Sequence, residues 1–184
     1  MDEDWFEVDD DVNDQNQKLV AVVRESARFW PECPPSATSV LVSKPDETGG
    51  ESQGGDGERD RDPYDIAIDE ALADGEQVLL LAVDLRDLEK NRVFGTLGAT
   101  VAGDRLFCSQ RHNTTYRPQP SDDVEPLEAT GPLTELGRIA ADWFEEIVRR
   151  PVIGPVGHGA WSFVAPGTAL PPRYRWVRNG PSAK

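Results

Sequence analysis

The chain has two cysteines, two histidines, one methionine and four lysines in 184 residues. Each scarcity excludes something. Cys33 and Cys108 are too few for the disulfide framework of a small secreted domain, and that usage reads as a cytoplasmic chain. A structural zinc site would need Cys33, Cys108, His112 and His158 together, and no two of them lie at the close paired spacing such sites use. No apolar run approaches the ~18 residues of a membrane span. The N-terminus is acidic and lacks the basic start of a signal peptide, so no membrane partner is expected and the Asn113-Thr114-Thr115 sequon carries no glycosylation. G-x-S-x-G, H-E-x-x-H, C-x-x-C and the P-loop are all missing, and no cofactor is expected.

Acid is plentiful. The formal charge is −15, unevenly spread. Residues 1–62 hold 17 acids against 6 bases, residues 63–130 hold 13 against 6, and residues 131–184 hold 4 against 7. The net charges are therefore −11, −7 and +3, and no acid follows Glu146. Nucleic acid is disfavoured over such a surface, except through a local arginine patch, because phosphates meet net repulsion. A basic protein partner fits better.

The first segment, residues 1–13, reads as an acidic flexible tail with Trp5, Phe6 and Val8 embedded. Asp4, Trp5, Phe6, Asp9, Asp10 and Asp11 make it a candidate contact for a basic partner, or a segment that docks on its own domain. Residues 14–184 read as a single α+β domain with a linker or mobile loop at 44–62, which has no large apolar residue. Leu19, Val22 or Val23, Ala27 and Trp30 predict a helix from Asp14, stopped at Pro31. Thr38 to Ser43 predicts a strand. Pro63 opens a second helix that Gly75 closes in the left-handed conformation. Gln77 to Leu85 predicts a central strand, followed by a hairpin of Val93–Val101 and Arg105–Gln110 turning at Gly103-Asp104. The proline-rich run 117–132 reads as an exposed loop. Leu133 to Arg150 is the clearest helix, and "GAWSFVAP" and "RYRWVR" read as strands. The expectation is a largely antiparallel sheet of five or six strands with two or three packed helices.

"LFCSQRHNTTYR", Leu106 to Arg117, places Cys108 and His112 four positions apart. A thiolate beside an imidazole is nucleophile chemistry, but on an extended strand four positions span about 13 Å at ~3.3 Å per residue. Cys108 shares a strand face with Leu106 and reads as a core residue. Asp84, Asp87 and Glu89 could hold a divalent metal, although acids are common enough for such spacing to arise by chance, and no metal is assigned. The stronger lead is an arginine-aromatic patch: Arg111, His112, Tyr116 and Arg117 in one segment, with Arg173, Arg175 and Trp176 in another. His158 lies between two glycines that admit close approach of a ligand.

Two readings follow. The first is a small binding or regulatory protein, immunity- or antitoxin-like, engaging a basic partner and with no catalytic role. The second is an enzyme or ligand-binding domain in which Arg111, His112, His158 and Arg175 take an anionic small molecule, with Cys108 or a histidine carrying the chemistry.

Overall fold

The computed structural model describes residues 4–8, 12–45, 63–87, 89–90, 92–111, 124–157 and 159–181. The expected linker therefore lies outside the described residues except for Lys44 and Pro45. Two antiparallel sheets organise the chain. The larger has five strands in sequential order: β1 (Thr38–Ser43), β2 (Val78–Asp87), β3 (Arg92–Ala102), β4 (Arg105–Arg111) and β5 (Leu127–Thr130). The smaller places β6 (Val152–Pro155) between β7 (Ser162–Phe163) and β8 (Tyr174–Arg178). The α+β class with a packed antiparallel sheet is thus the observed architecture, with the strands divided between two sheets rather than gathered in one.

Alternation along β2 decides how the layers form. Leu79, Leu81, Val83 and Leu85 are buried on one face, opposite Val101, Ala99, Leu97 and Gly95 of β3. Helices α1 (Asp14–Ala27) and α3 (Leu133–Val148) cover that face with Leu19, Val20, Val23, Leu136, Ala140, Phe144 and Ile147. On the other face, Val78 and Ala102 meet α2 (Pro63–Ala73) through Ala71, Ile68 and Leu72. β2 is continuous in apolar sequence because helices lie against both of its faces.

Local chemistry sets the helix ends. The Asn13 side chain accepts from the Asn16 N–H at 2.8 Å and caps α1. α2 closes as expected at Gly75, with φ +79. The Gly75 N–H donates to Leu72 O and the Glu76 N–H to Ala71 O, the pair of bonds that a left-handed glycine permits after a helix. Helices α1 and α3 begin at the same end of the sheet, where the Asn13 N–H donates to Gln77 Oε1 at 2.9 Å and the Gly131 N–H to Asp104 O at 2.9 Å. Asp14 and Glu135 lie in their first turns, where the helix dipole favours acid.

One expectation changes and one is resolved. The proline-rich run is not wholly loop: Val124 is buried, Glu125 O accepts from Trp143 Nε1, and Leu127–Thr130 pairs with β4. A four-residue strand between prolines has too little apolar alternation to stand out in sequence. Residues 4–8 follow the other alternative offered for the N-terminal segment and dock on the chain's own domain. Phe6 is 0% exposed, edge-on to Trp30 and packed on Phe144. Its N–H donates to Thr38 Oγ1, Arg24 donates to the Trp5 and Phe6 carbonyls, and Trp5 Nε1 donates to Cys33 O. Phe6 thus completes the chain's own core instead of facing a partner.

Removing that ring tests the docking. Phe6→Ala should lower unfolding stability in urea by about 3–5 kcal/mol, as for other buried phenylalanines. A loss below ~0.5 kcal/mol, the usual range for exposed positions, would mean that residues 4–8 contribute nothing to folding.

Candidate functional site

The two thiols fall inside the core. Cys108 is 1% exposed on the inner face of β4 with Leu106, and Cys33 is buried where the chain leaves α1. Burial pushes the Cys108 thiol up to about 12. Burial also pushes Cys33 up to about 11, against the lowering pull of Arg178 and Arg86. Neither is poised to be a thiolate nucleophile.

The arginine-aromatic patch separates into distinct anchorages. In β8, Arg175 binds the Asp87 carboxylate and, at 2.9 Å, Glu89 Oε2. Asp84 accepts from Thr96 Oγ1 at 2.8 Å and lies 3.6 Å from Arg86. The three acids considered for a metal are therefore engaged by protein cations and a hydroxyl, and no cluster with metal-ligand character occurs among the described residues. Arg178, from the same strand, is 2% exposed. Its Nη2 donates to Pro31 O at 3.0 Å and Glu32 O at 3.1 Å, and its Nε lies 3.6 Å from Glu32 Oε2. Burial lowers its pKa from the ordinary arginine value, while Glu32 works to raise it. Within the expected arginine-aromatic patch, acids at the end of β2 thus draw Arg175 inward. Arg173 remains exposed in the turn before the strand, and Trp176 is half-buried.

Arg111 behaves differently. It lies on the outer sheet face, where its side chain crosses β3 over Gly98. A Cβ at Gly98 would meet Arg111 Cγ at 2.8 Å, so the glycine provides the passage. Arg111 Nη2 donates to Tyr64 OH and, at 2.7 Å, to Thr100 Oγ1, with the guanidinium 4.8 Å from the Tyr64 ring centroid. Its buried Nε has no hydrogen-bond partner, and no carboxylate pairs with it among the described residues. Arg111 and Arg175 are held at different places by different partners. His112, Tyr116, Arg117, His158, Asp9, Asp10 and Asp11 lie outside the described residues. Asp4 is exposed beside Trp5.

A gathering of like charge among the described residues was not among the sequence candidates. Four stretches distant in sequence converge where β2 begins. Glu76 Oε2 lies 2.6 Å from where a Gly103 Cβ would sit, above the β3–β4 turn. Arg105 Nη1 is 3.4 Å from Glu70 Oε2. Asp104 O receives the Gly131 N–H, and Glu135 Oε2 lies 3.6 Å from the Gly131 Cβ position. With Asp14 beside Gln77, this end presents exposed Asp14, Asp69, Glu70, Asp74, Glu76, Asp104 and Glu135 around Arg105. The available signal was an acid beside each turn glycine: Asp74 and Glu76 at Gly75, and Asp104 at Gly103. Seeing them as one surface required the topology.

Near the other end, an open cleft of about 560 Å³ runs between the end of α3 and β7, lined by Arg149, Arg150, Pro151 and Phe163. Among the described residues, no helix is long and apolar enough to cross a membrane. Comparisons of the chain with protein-family models, curated proteins and solved structures find no match.

The thiols make a checkable point. Their folded pKa values lie above the ordinary value of 9.0, so the folded state holds these protons more tightly. Their contribution to stability is intact below about pH 9 and lost as pH rises through about 11 and 12. At pH 8 a thiol reagent should label neither cysteine until denaturant is added, and Cys108→Ala should flatten the alkaline loss of stability. Rapid labelling of the native protein would contradict this burial.

Proposed function

We propose that the chain is a binding or regulatory protein whose acidic end engages a basic partner protein, in the manner of an inhibitor covering a positively charged site. The supporting observation is the convergence of seven exposed acids from four stretches on one end of the fold, around a single arginine among the described residues. These acids are carried on helix first turns, a glycine-closed helix end and a tight hairpin, so they are presented on ordered backbone. Such a surface steers a cationic partner, speeding encounter and making it salt-sensitive. The aromatics Trp5 and Phe6 serve the core in this reading, and the contact passes from the tail to the turns.

Two variants with equal charge change separate a local site from bulk acidity. One neutralises the end (Glu70→Gln, Asp74→Asn, Glu76→Gln); the other neutralises acids elsewhere (Glu25→Gln, Asp142→Asn, Glu146→Gln). Association with the partner captured from the native host should slow by roughly tenfold or more in the first at low salt and change little in the second. Equal slowing in both would show that net charge, not this end, governs binding.

A second reading rests on Arg111, a half-buried guanidinium held by hydroxyls in a chain of −15. It would take a small carboxylate or phosphate, since a guanidinium hydrogen-bonds such groups strongly. Inorganic phosphate should then raise the melting temperature of the wild type and not that of Arg111→Gln; an equal response in both would remove this reading.

A further inference from the structure

The two edges of the five-stranded sheet are built differently. β5 is four residues long, carries exposed Glu128 and is bracketed by Pro126 and Pro132. Short length, charge and flanking proline are the usual protections against strand addition. β1 is flanked by Pro35 and by Lys44-Pro45 too, but it is longer and carries no charge of its own. Thr38–Ser43 reads T-S-V-L-V-S, six residues without charge or proline, in unbroken register with β2. Val40 and Val42 pack on the core, while Ser39, Leu41 and Ser43 are exposed, Leu41 at 60%. β1 ends the strand order, and among the described residues no strand pairs with its outer side.

We infer that β1 is a self-association edge: two copies of the chain join β1 to β1, antiparallel about a twofold axis, as one ten-stranded sheet. Charge selects a second copy as the occupant. A strand facing its own image must avoid like charges directly opposite, and this one is neutral in a chain of −15. A twofold axis makes the pairing antiparallel, the sense used throughout this sheet. Direction matters as well. Ser43 pairs with Val78 near the acidic end, whereas Thr38 pairs with Val83 near Arg86, whose Nη2 donates to Ser36 O at 2.6 Å. Antiparallel joining therefore sets each acidic end beside the other copy's Arg86 end and keeps the two acidic ends apart. Leu41 of each copy is removed from water on the outer face.

Because both copies carry strong net negative charge, salt that screens their residual repulsion tightens this contact. Association with a basic partner responds to salt in the opposite sense, so the two proposals fail separately. Sedimentation velocity of the full chain across protein concentration, at low and high salt, tests the edge. The expected result is a monomer–dimer equilibrium at least about tenfold tighter at high salt, equivalent to ~1.4 kcal/mol. Leu41→Lys and, independently, Ser43→Lys should weaken the dimer by about tenfold or more while leaving the far-ultraviolet circular dichroism and unfolding midpoint of the monomer unchanged. A monomer under every condition, a dimer that loosens with salt, or a dimer indifferent to both lysines would overturn the inference.

Discussion

The joint between the small sheet and the helical layer depends on one buried cation. Arg178 closes β8, yet its side chain lies almost wholly inside the protein. There it donates to the carbonyls of Pro31 and Glu32, which lie just beyond the end of α1. Burying a guanidinium is costly unless it is paired and hydrogen-bonded, and Glu32, at φ +52, supplies both carbonyl and carboxylate. Asn179 completes the joint by donating to the Val148 and Arg150 carbonyls at the end of α3. The joint also bears on electrostatics. With Arg175 bound by Asp87 and Glu89, two bases of the C-terminal third are used within the fold. The net +3 of that third therefore overstates the cationic surface it offers.

Much of the fold is readable from the chain because its local signals agree. Pro63 and Gly75 bound α2, the hairpin turns at Gly103-Asp104, and the apolar stripe from Leu133 to Ile147 forms α3. The rest is hidden for a common physical reason. Phe6 sits in an acidic segment whose composition left a solvated tail and docking on the domain both open, and only the fold places the ring against Trp30 and Phe144. β5 and β6 are four residues each, too short for period-two alternation to register. Arg175 and Arg178 fall on opposite faces of an alternating strand, and partners more than 80 residues away in sequence decide where each goes. The candidate site was less readable than the fold for the same reason: its acids become one surface only after four turns are brought together.

The arrangement links stability to presentation. A five-stranded sheet backed by α1 and α3 holds the β3–β4 turn, the β5–α3 turn and the start of α1 at one end, tied by Gly131 N–H to Asp104 O and by Asn13 N–H to Gln77 Oε1. Among the exposed acids of this end, Asp14 and Glu135 sit where the helix dipoles favour them and Glu70 lies 3.4 Å from Arg105.

The most direct measurement is the hydrogen-exchange footprint of the chain with its captured partner. The acidic-end account predicts slowed exchange at residues 70–77, 103–105 and 131–136, with little change at 149–156 and 161–178. Protection confined to the latter stretches, around the cleft and β8, would contradict it.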